Sequence, residues 1–83
     1  MINHEHSTTH AFCETIAASI THIRILGPKG RMPGGGADTT ALCGALVLWD
    51  TGLAFSSERV ATWRPWPYRL CSQCKTEFTR EQT

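Results

Sequence analysis

At 83 residues, with a formal net charge of +1, 41% hydrophobic and 18% charged residues, the chain has room for one domain and too much apolar content to stay disordered. A nearly balanced charge excludes a global attraction for nucleic acid, which shows as Lys and Arg in clear excess, so any such contact must be local. Chains this short bury only about 60% of their unfolded surface, and a staple would widen the thin margin their core provides.

Residues 1–8, "MINHEHST", are polar and His-rich and read as a flexible tail. They match neither a signal peptide nor the start of a membrane span, and no apolar run in the chain reaches the roughly 18 residues a span needs. A cytoplasmic location is therefore expected. In that reducing compartment the four cysteines read as ligands or catalytic thiols rather than two disulfides.

From Thr9, "THAFCETIAASI" spaces Phe12, Ile16 and Ile20 four apart, which predicts a short amphipathic helix capped by Thr8 or Thr9, unless the following strand begins earlier. "ITHIRIL" then alternates β-branched residues, with Thr21, Ile23 and Ile25 on one face and His22, Arg24 and Leu26 on the other, so 20–26 reads as a strand. The Gly- and Pro-rich stretch 27–38 is a loop. It lacks the GxxxxGK[ST] pattern of a phosphate-cradling loop. "TTALC" and "ALVLW" read as strand segments on either side of Gly44, closed by a turn at "DTG". In "LAFSSERVATW", Ser56 or Ser57 caps a helical turn, or Val60 and Thr62 belong to a strand. The two prolines of "RPWPYRL" favour an extended path, and "KTEFTREQT" can form a short terminal helix.

The chemistry concentrates at Cys71-x-x-Cys74. Two intervening residues let the backbone turn around a metal ion, and a tetrahedral zinc site needs two further Cys or His ligands. Cys43 is the preferred third, because Gly44 after it permits the tight turn that aims backbone N–H groups at a thiolate. His22 is the preferred fourth: if the Gly-rich loop returns the chain as a hairpin, His22 and Cys43 lie opposite one another on adjacent strands. Two rival sets stay open. One is a His10-x-x-Cys13 pair facing Cys71 and Cys74, leaving Cys43 idle; the other is a four-cysteine site that uses Cys13. His22 also has a plainer reading, as a solvent-facing strand histidine beside Arg24.

The segment "WRPWPYRL" interleaves Trp63, Trp66 and Tyr68 with Arg64 and Arg69. Prolines hold it extended, and aromatics beside arginine suit a protein groove or base stacking; at least one indole should instead cover the small core. Arg64, Trp66, Tyr68 and Arg69 are the candidate partner-binding residues.

Enzymatic readings are weaker. A redox dithiol would use Cys71 and Cys74 ahead of a helix, but the chain is too short for a thioredoxin-like scaffold. No HExxH or haem-attachment pattern is present, and "HEH" at 4–6 with "LCSQC" only approximates a zinc deaminase.

His22, "TALCG" at 40–44 and "CSQC" at 71–74, in that order around a Gly-containing loop, resemble the small zinc-ribbon-like proteins of actinobacteria and their phages. The resemblance covers residues 22–74, and the long Gly-rich insertion and the extra Cys13 depart from it. It implies a metal-stabilised fold and a phage-type accessory or inhibitor protein that docks on a host protein. The combined expectation is a small α+β, zinc-ribbon-like domain over residues 9–83, with a β-hairpin core and short helices. Zinc is its cofactor. It is expected to act as a non-enzymatic binding or regulatory module, with a protein partner favoured over nucleic acid by the near-neutral charge. A thiol-disulfide redox protein and a nucleic-acid-binding zinc ribbon using residues 63–69 are the alternatives.

Overall fold

The computed structural model describes residues 9–15, 19–27, 39–48, 51, 53–64 and 68–82. The expected tail at 1–8, the Gly-rich loop from residue 28 to 38, and Trp66 lie outside the described residues. The architecture is small α+β: strand β1 (His10–Glu14), strand β2 (Ile20–Ile25), helix α1 (Ser57–Ala61), strand β3 (Arg69–Leu70) and helix α2 (Ser72–Gln82), with the strands in sheet order β1-β2-β3.

The segment expected as a helix from Thr9 is instead β1, antiparallel to β2 with Phe12 opposite Ile23 and Cys13 opposite His22. Three consecutive residues, Ala11, Phe12 and Cys13, are fully buried, which a surface helix with one apolar stripe does not allow but a strand covered on both faces does. The expected strand at 20–26 is present as β2, and the hairpin core is β1–β2.

Among the described residues of the two strand segments expected around Gly44, no strand forms. Ala41 makes an isolated bridge to β2, opposite Arg24. The backbone then closes on itself: the Gly44 N–H donates to the Ala41 carbonyl (2.8 Å) and the Ala41 N–H to that of Ala45 (3.0 Å). Further on, the Leu48 N–H donates to the Glu14 carbonyl (2.7 Å) and the Thr51 N–H to that of Phe12 (2.9 Å). Three steps along this segment thus answer two along β1, and a regular ladder cannot carry that slip.

β2 is the organising strand because both its edges are used. One edge pairs with β1. The other is divided: β3 lies parallel to its start, with Ile20 opposite Arg69 and Thr21 opposite Leu70, while residues 41–42 take its end, where the Leu42 N–H donates to the Ile23 carbonyl (2.8 Å). The two incoming segments meet at His22.

Beneath the sheet lies a core of Phe12, Ile23, Ala41, Phe55, Val60, Cys74 and Phe78, with Trp63 and Leu70 packed against it. Phe55 is its hub, with ring centroids 4.7 Å from Phe12 and 5.1 Å from Phe78. Val60 enters from α1, which Ser56 caps: its backbone is extended and its Oγ accepts the Arg59 N–H at 3.0 Å, the usual service of an N-cap serine. Cys74 and Phe78 enter from α2 at a spacing of four, which sets both on one helical face. Among the described residues no helix is long and apolar enough to cross a membrane.

Candidate metal centre

His22, Cys43, Cys71 and Cys74 converge, with one donor atom from each lying within 4.8 Å of every other. Each arrives for a local reason. His22 sits in the middle of β2 and is buried, at 8% exposure, so the reading of it as a solvent-facing strand histidine is set aside. Cys43 occupies the tight turn between Ala41 and Ala45. Gly44 completes that turn at φ +92°, a conformation open to glycine at little cost. A Cβ there would meet nothing within 4 Å, so the glycine serves the backbone angle rather than a close approach.

Cys71 follows β3 directly. Its N–H donates to the Thr21 carbonyl (2.8 Å), continuing the parallel pairing, and its own carbonyl accepts the Lys75 N–H (3.0 Å), the first bond of α2. Cys71 is therefore the N-cap of α2, and its Sγ accepts the N–H of Cys74 at 3.5 Å. The sequence places the terminal helix after the cysteine pair. It begins inside the pair instead, because a thiol can cap a helix as a serine hydroxyl does, leaving Cys74 in the first turn facing the core.

The registers explain the convergence. The antiparallel bridge from Arg24 to Ala41, carried two residues on, sets Cys43 against His22. The parallel pairing of Thr21 with Leu70, carried one residue on, sets Cys71 there as well. The hairpin expected to bring His22 and Cys43 together is thus reduced to one bridge and a turn, yet its register is the expected one.

The donor set fits a tetrahedral metal ion. With zinc-to-sulfur bonds of about 2.3 Å and zinc-to-nitrogen bonds of about 2.05 Å, a tetrahedron has sulfur-to-nitrogen edges of about 3.6 Å. The Cys43 Sγ and Cys74 Sγ lie 3.4 and 3.6 Å from the same atom, His22 Nδ1. One ring nitrogen has a single lone pair or a single proton to offer, so two sulfurs at that range are poorly served by hydrogen bonding alone and well served by an ion between them.

The thiols differ in their electrostatics. Burial pushes the Cys74 thiol up to about 12. Burial also acts to raise Cys71, but hydrogen bonds from the Cys74 and Gln73 backbones and from the Cys74 and Cys43 side chains outweigh it, so its thiol is held below the usual range. Burial lowers His22, favouring the neutral imidazole that a ligand requires.

The rival ligands lie elsewhere. Cys13 is fully buried, and its Sγ donates to the His22 carbonyl at 3.5 Å, which turns it to the backbone of β2 rather than to the four-residue cluster. His10 stacks on Phe55 (centroids 5.4 Å apart), meets Phe78 edge-on (5.2 Å), and has Nε2 3.3 Å from Glu81 Oε1. It joins β1 to the end of α2 within the aromatic cluster.

One residue that matters to the site was overlooked in the sequence. Arg24, buried at 4% exposure, donates from Nε to Thr39 Oγ1 (2.9 Å), from Nη2 to the Thr39 carbonyl (2.6 Å) and from Nη1 to the Leu48 carbonyl (2.8 Å). It holds both ends of the segment that carries Cys43. The available signal was an arginine set between Ile23 and Ile25 in a strand, a position where a charged group needs fixed partners.

Of the candidate partner-binding residues, Arg64 and Arg69 are exposed and Tyr68 is half exposed. Trp63 packs on Phe12 with centroids 4.9 Å apart, the core-covering role expected of one indole. Comparison with family models, with curated protein sequences and with solved structures finds no match to this chain.

Proposed function

We propose that this chain is a non-enzymatic, zinc-stabilised binding module of zinc-ribbon type, working in a reducing cytoplasm where free thiolates persist. The observation that carries the metal reading is the meeting of two sulfurs on His22 Nδ1 within a cluster of three thiols and one imidazole. Three sulfurs and a nitrogen fill a tetrahedral shell without leaving a position for substrate, the pattern of structural rather than catalytic zinc. His22, Cys43, Cys71 and Cys74 would hold the ion, which would add its binding energy to folding. The clamp ties two segments to β2 and fixes the approach to Cys71, and residues 63–69 then serve as a docking element for a protein. Its form as a phage-type accessory protein rests on the resemblance of His22, "TALCG" and "CSQC" alone.

Native mass spectrometry and elemental analysis on the purified chain test the reading. One zinc per chain is expected, with loss of the far-ultraviolet signal on chelation and its return on adding zinc back. A chain that keeps its fold without metal would overturn it.

A specific observation favours a second reading. Cys71 caps α2 and is held below the usual thiol range, while Cys74 beside it is pushed up by burial. That asymmetry suits a dithiol in which the Cys71 thiolate attacks a substrate disulfide, releasing one substrate thiolate. Cys74, losing its proton, then resolves the mixed disulfide and releases the other, leaving a Cys71–Cys74 disulfide. A metal-free chain with a reversible Cys71–Cys74 disulfide would favour this reading over the first.

A further inference from the structure

We propose that the groove between α1 and the side chains of Trp63, Arg64 and Tyr68 binds an acidic peptide segment of a partner protein that carries one apolar side chain; this rests on the docking-module reading and names its ligand. The groove is open and encloses about 490 Å³, room for one or two side chains rather than a folded surface. Its lining includes Leu53, Glu58, Arg59, Trp63, Arg64 and Tyr68. Tryptophan, tyrosine and arginine are the residues that dominate binding energy where proteins meet.

The walls are fixed before any ligand arrives. The Trp63 indole N–H donates to the Tyr68 carbonyl (3.0 Å) while its ring rests on Phe12. The Thr62 hydroxyl donates to the Glu58 carbonyl (2.8 Å), and Ser56 caps the start of α1. Tyr68 stands three residues before Cys71, so the groove's second wall continues directly into the segment that the His/Cys cluster clamps to β2. Pre-ordered walls reduce the entropy lost on binding.

Charge selects the occupant. Arg59 and Arg64 are exposed on the groove, and among the described residues the ion pairs are His10 with Glu81 and Arg80 with Glu77, neither of which engages them. Two guanidinium groups offer forked donors to carboxylates. On the same groove, Leu53 and Tyr68 expose 41% and 51% of their surfaces, a seat for an apolar side chain. Glu58 on the same groove argues against a nucleic acid strand, which brings a phosphate at every step. A peptide can set its carboxylates opposite the arginines and a neutral residue opposite Glu58. The near-neutral whole chain likewise lacks the excess positive charge that strand binding draws on.

The test selects phage-displayed random dodecapeptides on the zinc-treated protein, then measures the fluorescein-labelled winners by anisotropy against the native chain and the Arg59→Glu/Arg64→Glu double variant. Fluorescein-labelled oligothymidylate is measured in parallel. Winners enriched in Asp and Glu around a Leu, Phe or Trp are expected. Their affinity should fall at least about tenfold in the double variant, the equivalent of about 1.4 kcal/mol, and also fall with added salt. Both arginines are exposed, so the variant should keep its circular dichroism and its metal content.

Failure to select binders, winners without acidic enrichment, or equal binding to both proteins overturns the proposal. So does oligothymidylate binding that the same variant abolishes. Zinc content measured on the same samples keeps the two readings apart: acidic peptides bound by a metal-free folded chain would sink the zinc reading and leave the groove, whereas one zinc per chain with no variant-sensitive binding would sink the groove alone.

Discussion

Replacing Cys43 and Cys13, each by serine, sets metal affinity against packing in opposite directions. Cys43 is half-buried and reaches to 3.4 Å from His22 Nδ1, whereas Cys13 is fully buried and donates to the His22 carbonyl. Structural zinc binds with an apparent free energy of about 10–16 kcal/mol, so one of four ligands is worth about 2.5–4 kcal/mol when shared evenly. Cys43→Ser should therefore weaken zinc binding by about 10²–10³-fold, with little loss of apolar packing. Cys13→Ser should leave stoichiometry and affinity unchanged while costing about 1–3 kcal/mol of stability for a hydroxyl in a thiol's buried place. Competition with a chromophoric chelator reads the affinity, and urea unfolding at saturating zinc reads the stability. A chain of this length is stable by about 4–12 kcal/mol in all, so both effects lie within reach. Unchanged affinity in Cys43→Ser, or a large loss in Cys13→Ser, would refute the assigned ligand set.

Zinc affinity should fall on acidification. Cys74, pushed up to about 12, carries its proton at neutral pH and must release it to bind, so proton release on zinc addition, measured by titration in two buffers, should be at least one per chain. Burial lowers His22, which favours the neutral imidazole, so the released protons come from the thiols rather than from the histidine. Chelator competition from pH 7.5 downward checks the sign, and an affinity that rises on acidification would contradict it. Gly44→Ala should cost about 1–2 kcal/mol from backbone strain alone, since the added Cβ meets nothing; a drop in Tm on the order of 5–15 °C is expected. Phe55→Ala, which removes the ring shared by Phe12, Phe78 and His10, should cost about 3–5 kcal/mol in urea unfolding.

The cluster was more legible in the sequence than the framework that assembles it. Cys43 and the Cys71/Cys74 pair announced themselves by residue type and by Gly44, and His22 by its place in an alternating strand. β1 was hidden because Phe12, Ile16 and Ile20 fall at a helical spacing by coincidence, while the burial of Ala11 and Cys13 on the second face leaves no polar alternation to read. The segment after Ala41 is apolar enough for a strand, but its pairing depends on hydrogen bonds to Glu14 and Phe12, far away in sequence, whose one-residue slip no local pattern encodes. The Cys71 cap was missed because the first helical turn was assigned after the pair, although serine at 72 and the absence of proline already allowed an earlier start.

The division of one β2 edge between two incoming segments also bears on how the chain can vary. Since β3 and residues 41–42 are each aligned by their own backbone bonds to β2, the position of Cys43 is set locally, by Arg24 and the Ala41 bridge, and owes nothing to the length of chain between residues 27 and 39. Doubling such a connection costs only about 0.6 kcal/mol of closure entropy. A tag grafted into the span between residues 27 and 39 is thus expected to leave zinc stoichiometry unchanged, because the bonds that align Cys43 run between residues 39–48 and β2.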